Sequence, residues 1–253
     1  MVLELIIAAT LLSSLAGLSG GALLMLKERF TRRISTYLVS FATGAILAAA
    51  LLDMIPEGLE MFSDIDLAFI LILSGIVLFF VLEKLLLWHH HHHHHDDARH
   101  GHHHDEPKGY LIAVGDSLHN FVDGIILAAS FLIDISLGVV TTIAILVHEI
   151  PQEMGDFGAM LHLGFSRART IIVNVIAALA SLVGAVLTFF LAQLAEGIAA
   201  PVLFVAAGTL IYIAASDLIP ELHKERSAAK SALQLIALLV GVLLIWAVKT
   251  YLE

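Results

Sequence analysis

Residues 148–156 read HEIPQEMGD, and residues 119–124 read HNFVDG. The first stretch carries an imidazole, three carboxylates and an amide; the second carries an imidazole, an amide and one carboxylate. At about 100° per residue, a helix gathers His148, Gln152, Asp156, Glu149 and Glu153 into an arc of about 140°, and Asp116, His119, Asn120 and Asp123 into about 100°. Imidazole nitrogen and carboxylate oxygen are ligands that zinc, iron, manganese and similar dications accept. The i, i+4 spacing of His119 with Asp123, and of His148 with Gln152, sets two donors on one helix face.

Both stripes lie in apolar surroundings. Runs of about 20 apolar residues, long enough to cross a bilayer, occur at approximately 2–26, 34–55, 67–88, 109–133, 137–161, 170–194, 199–219 and 231–252. The histidines therefore sit near mid-membrane, where one charged group costs roughly 2.5–3.5 kcal/mol. Several ionised acids facing one another would cost more, unless some kept their protons or a dication lay between them. His119 or Asn120 alone would read as an interhelical hydrogen bond; the whole set reads as a metal site. Its candidate ligands are His119, Asn120, Asp123, His148, Glu149, Gln152 and Glu153, with Glu153 and Asp156 alternatively lining a way out or sharing a proton. Pro151 frees the carbonyl of Val147, an irregularity tolerated where it borders a polar cavity.

The elements that must hold this site are helices. The 253 residues are 59% hydrophobic and only 14% charged, against about a quarter charged in soluble domains. Continuous rather than alternating runs argue against a barrel, so the expectation is an all-α polytopic bundle of eight transmembrane helices, one domain over 1–253. Glu4 stands where a signal peptide would be basic, which favours a true first span. The absence of cysteine excludes disulfides and thiolate ligands. Every lysine and arginine except Lys249 falls on one side of the eight spans. By the positive-inside rule that side is cytoplasmic, and both termini face out of a multi-pass cell-membrane protein. With a formal charge of −10, the expected partners are divalent metal ions and the lipid bilayer, not nucleic acid.

FATGAILAAALLDMIPE (41–57) pairs with VAAGTLIYIAASDLIPE (205–221). Gly44 matches Gly208, Asp53 matches Asp217, and Glu57 matches Glu221, in spans of opposite direction. Such a pattern suggests an inverted repeat and a transporter, although two polar helix ends with a proline stop would look alike. A shorter echo sets His119-Asn120 against His148-Glu149, 29 residues on. Gly17, Gly20 and Gly21 allow close helix contact and read as packing or sliding surfaces. The segment 89–108 holds eleven of the 15 histidines: His89, His90, His91, His92, His93, His94, His95, His100, His102, His103 and His104. It reads as a flexible cytoplasmic loop of weak metal ligands, a receiver or sensor; an internal affinity tag is the duller alternative. His162 and His223 lie at inner span ends and read as surface residues.

At HNFVDG and HEIPQEMGD the sequence resembles the ZIP family of divalent metal transporters, of prokaryotic type, over nearly its whole length. The resemblance implies uptake of zinc, or of iron, manganese, cobalt or cadmium, into the cytosol through a binuclear site between spans four and five. On matching positions, His119, Asp123, His148 and Gln152 resemble the primary site, and Asn120 with Glu149 the neighbouring one. Gln152 departs from the histidine or glutamate common there. The family further implies 3+2+3 inverted repeats, elevator-like movement and frequently a homodimer. Asp53 and Glu57 are candidates for the outer mouth; Asp116, Asp156, Asp217 and Glu221 are candidates for the remaining path.

An intramembrane zinc-dependent hydrolase is the alternative, because His148-Glu149 opens an HExxH pattern. Gln152, however, occupies the position of its second histidine, and a hydrolase has no evident use for the repeat. A metal-sensing membrane protein is a third reading. The chain is thus expected not to be an enzyme and to need no catalytic cofactor beyond its transported ion.

Overall fold

Lys27 interrupts the first long helical run. Val2–Ala48 is helical throughout except at Lys27, whose backbone (φ −138°, ψ 50°) leaves the helical region. The hydroxyl of Thr31 donates to the carbonyls of Lys27 and Leu23 at 3.0 and 3.3 Å, which satisfies groups the break would leave bare. Two spans therefore follow from what begins as one helix.

The computed structural model describes residues 1–91, 106–194 and 197–252. Among them, eight helices are long and apolar enough to cross a membrane: α1 (Val2–Thr31), α2 (Arg33–Met61), α3 (Ile65–Leu85), α4 (Gly109–Ile133), α5 (Ile135–His162), α6 (Arg167–Leu194), α7 (Ala199–Leu222) and α8 (Ala228–Leu252). The described architecture is all-α, with no strand. Helices α2, α4, α5 and α7 are the most buried, α3 and α8 the least, and α1 and α6 lie between. Helices α3, α6 and α8 turn residues such as Phe69, Ile70, Ile172, Ile176, Leu239 and Leu243 away from the protein, as lipid-facing helices do. Most of the expected histidine-rich loop, including His92–His95, His100 and His102–His104, lies outside the described residues, as do the side chains of His89, His90 and His91.

Tight crossings join the helices in pairs: α1 with α5, α4 with α6, α2 with α8, and α3 with α7. A Cβ on Gly44 of α2 would fall 2.0 Å from the carbonyl oxygen of Leu238, and one on Gly208 of α7 would fall 2.0 Å from that of Ile72. These two crossings match position for position. Residue 208 is 164 beyond 44, and 238 is 166 beyond 72. The other two pairs match likewise: Gly20 meets the carbonyl of Ile150, and Gly184 meets that of Phe121, again 164 and 29 residues apart. The glycines are needed because backbone touches backbone there.

The two D-x-I-P-E copies also share a local form. Ala49–Met54 and Ala214–Leu218 are π-helical turns, each leading into a short helix with proline in its first turn. Proline has no N–H to give the carbonyl four residues back, and a widened turn absorbs the mismatch.

Candidate metal centre

One residue separates α4 from α5. Asp134 is extended, and its side chain accepts from the backbone N–H groups of Ser136 and Leu137 at 2.7 and 3.4 Å, capping α5. The chain reverses at once, so residues equally distant from Asp134 share a depth. His119 lies 15 residues before it and His148 lies 14 after, each about 21 Å along its helix at 1.5 Å per residue. Thr141 donates to Ser130 at 3.0 Å across the hairpin, and Phe131 packs on Gly138. These contacts fix the register that brings the polar stripes together.

His119, Asp123, His148 and Glu149 converge, one ligand atom from each lying within 4.8 Å of all the others. Nε2 of His148 is 3.0 Å from Asp123 Oδ2, 3.3 Å from His119 Nε2 and 3.6 Å from Glu149 Oε1. Nε2 of His119 is 3.7 Å from both carboxylates. All four side chains are buried. Nδ1 of His148 lies 3.1 Å from the carbonyl of Ala144; a carbonyl only accepts, so Nδ1 donates there and Nε2 points into the cluster. Close as they lie, neither oxygen of Asp123 has a hydrogen bond, and Glu149 Oε1 has none. Buried acceptors without donors are costly. Here they surround a point where a cation would satisfy all of them at once. Phe79 of α3 packs edge-on against His119 and closes that flank.

The remaining expected ligands lie around this centre. Asn120 gives its amide to the Asp116 carboxylate at 2.8 Å and to its carbonyl at 3.0 Å. Glu149 reaches the two histidines and, with Asn120, also bounds a small space between α1, α4, α5 and α6. Gln152 lines a cavity of about 870 Å³ together with His119, Asp116 and Asp156. Glu153 is buried with both oxygens unpartnered, and its side chain lies over Gly17.

The cavity opens toward one end of the bundle. Its walls continue through Ser35 and Glu83 to His162, Asp217 and Glu221, all near the span ends that carry the lysines and arginines. Toward the other end, the cluster is covered by Met54, Ile126, Leu127, Phe131 and Leu203, all buried in one apolar core. Of the expected path residues, Asp116, Asp156, Asp217 and Glu221 line the cavity. Asp53 does not; it is buried, with Oδ1 3.5 Å from Lys249 Nζ. Glu57 follows it, partly buried, on the same side.

Sequence reasoning passed over Glu83, which accepts from Tyr212 at 2.5 Å in the cavity wall, although an acid interrupting an apolar run was the signal. It also passed over Ser13, Ser14 and Ser181, which adjoin the acids of the cluster from α1 and α6. Nothing separates those serines from ordinary polar packing until the helices are assembled.

A family model described as a ZIP zinc transporter matches residues 2–110 and 89–249. Zinc transporter ZIP13 of Pongo abelii is 31% identical over 221 residues, covering 81% of this chain and 64% of its own length. Zinc transporter zipt-7.2 of Caenorhabditis elegans is 37% identical over 146 residues, 56% of this chain and 32% of its own length. Zinc transporter ZIP4 of Homo sapiens is 36% identical over 117 residues, 46% and 18% respectively. The chain spans less than two thirds of each of these relatives.

Proposed function

Because the chain belongs to the ZIP zinc transporter family, we propose that it carries a divalent transition metal, zinc first among them, across the membrane. The observation that carries this reading is the convergence of two imidazoles and two carboxylates at mid-membrane, with three carboxylate oxygens left without donors. Four nitrogen and oxygen donors match what zinc accepts, and they replace water that the ion sheds on entering. Both histidines must be deprotonated to bind, so uptake falls as protons compete. A second ion, which the family resemblance implies beside the first, would draw on Asn120 and Glu149, with Gln152 able to bridge. Transport takes precedence over hydrolysis because the family is one of transporters and because Gln152 occupies the position a hydrolase would give to histidine.

The basic end of the bundle is read as cytoplasmic, so the large cavity connects the site to the cytosol while the apolar core shuts it from outside. Uptake then requires a second state with these roles exchanged. The tight glycine crossings keep α1 with α5 and α4 with α6, and separately α2 with α8 and α3 with α7. This supports two rigid groups sliding past each other, with the matched crossings read as an inverted repeat. The histidine-rich loop serves as receiver for the released ion. Lipid surrounds α3, α6 and α8, and a second copy of the chain is the expected neighbour.

Zinc uptake into proteoliposomes tests this. His119→Ala and His148→Ala should reduce uptake to that of protein-free vesicles while the protein still inserts. Unchanged uptake in both would overturn the assignment.

A further inference from the structure

Of the four converging ligands, His119 is the one that also lines the large cavity; Asp123, His148 and Glu149 do not. An ion leaving for the cavity therefore passes the His119 ring. Phe79 of α3 lines the same cavity. It stands edge-on to His119, with ring centroids 5.9 Å apart and planes at 79°, the arrangement in which the positive edge of one ring meets the face of the other. Phe79 is supported in turn. Tyr212 of α7 packs against it at 5.8 Å, and the Tyr212 hydroxyl donates to Glu83 at 2.5 Å. Glu83 lies four residues beyond Phe79, one turn along the same face of α3. The brace thus begins and ends on α3, with Tyr212 between.

The contact from Phe79 to His119 also crosses between helices fastened to different neighbours. A Cβ on Gly75 of α3 would fall 2.1 Å from the carbonyl oxygen of Val205 on α7, and one on Gly124 of α4 would fall 1.9 Å from that of Ser181 on α6. Among the described residues, no glycine crossing of this kind joins α3 to α4. Phe79 belongs to one tight group and His119 to the other.

We propose that Phe79 is a positioning residue: it props the His119 ring in its ligating orientation while the site faces the cavity, and so sets how tightly the ion is held on that side. The inference rests on the transport reading above. An imidazole whose orientation is already fixed by its neighbours binds a metal better than one the metal must order. When the two groups slide, His119 leaves Phe79 and the prop is lost. Its aid is therefore one-sided.

The test is zinc transport in proteoliposomes that hold the protein in one orientation, with zinc offered from either side. Phe79→Leu keeps an apolar side chain and loses the ring. It should raise the KM for zinc from the cavity side about three- to tenfold, the scale of one aromatic pair, and change the KM from the other side less than about twofold. Phe79→Tyr keeps the ring and should retain the wild-type values. Tyr212→Phe leaves every ring in place and removes only the bond to Glu83; it should raise the cavity-side KM about twofold. If Phe79→Leu does not insert, Tyr212→Phe carries the same comparison. Unchanged KM values overturn the proposal, whether or not the maximal rate falls, because a merely structural residue would change only the number of working molecules. An equal rise from both sides overturns it too. Either result leaves the transport reading intact as long as the wild-type protein moves zinc; wild-type vesicles that move none would refute that reading and this one with it.

Discussion

The two copies of D-x-I-P-E have the same local fold and opposite surroundings. In the first copy, Asp53 is buried and faces Lys249, whose ammonium lies 3.5 Å from its carboxylate and donates to the carbonyl of Leu52 at 2.9 Å. Leu52 is four residues before Pro56, so this is the carbonyl that the proline leaves without its helical donor. In the second copy, Asp217 is exposed, accepts from Ser216 at 2.7 Å and lines the large cavity. The position matching Lys249, at the 166-residue spacing of α3 and α8, is Glu83. One motif is thus closed over by a cation, while the other presents acids to the large cavity. The backbone repeats; the charge that the neighbouring helix brings to it does not, Lys249 standing where the other copy has Glu83.

If the backbone is common to the two halves, breaking either crossing should do equal and severe damage. Gly44→Ala and Gly208→Ala each place a Cβ about where a carbonyl oxygen now sits, and each should cost about 3 kcal/mol or more, read as lost thermal stability in detergent. Tolerance at one position and collapse at the other would show that the two crossings are not equivalent. The charge difference predicts a smaller and unequal pair. Lys249→Ala leaves a buried carboxylate and a bare carbonyl, at a cost of roughly 2–4 kcal/mol. Glu83→Ala loses mainly its bond from Tyr212, about 1 kcal/mol. Equal losses in these two variants would end the contrast between sealed and open copies.

Much of this was legible in the sequence, and the limits are physical. Apolar run length sets the eight spans, because lipid leaves an exposed backbone no alternative to the helix. The pairing of His119 with His148 follows from their near-equal distance to the turn at Asp134. Partnerships between distant helices were not legible. Lys249 meets Asp53 across 196 residues, and the contact depends on helix rotation and depth that no periodicity encodes. Asn120 was expected as a ligand of the neighbouring site, and no sequence signal showed that Asp116, one helical turn earlier, holds its amide. Glu149, placed by resemblance in a neighbouring site with Asn120, also lies 3.6–3.7 Å from both imidazoles, a closeness set by side-chain direction.

The smallest expected difference lies in the turns that follow the two copies. After the first, Asp64 Oδ1 accepts from the backbone N–H of Leu67 at 3.0 Å. After the second, Glu225 Oε1 accepts from the N–H groups of Ser227 and Arg226 at 2.8 and 3.0 Å, and Lys230 lies 3.4 Å from Oε2. The N–H of Ser227 is the main cause that holds the Glu225 carboxyl below the usual glutamate range, with Lys230 assisting. A carboxyl lowered in the folded state stabilises it above the unfolded pKa and loses that contribution as pH falls through the folded one. The share of the thermal midpoint that Glu225 supplies should therefore be lost on acidification below about pH 4.5, and Glu225→Gln should remove that share of the pH response. Asp64→Asn keeps an oxygen that Leu67 can still reach, and asparagine caps a helix about as well as aspartate, so it should move the midpoint little. A larger acid response from Asp64→Asn than from Glu225→Gln would mean that the first turn, not the second, depends on its carboxylate charge.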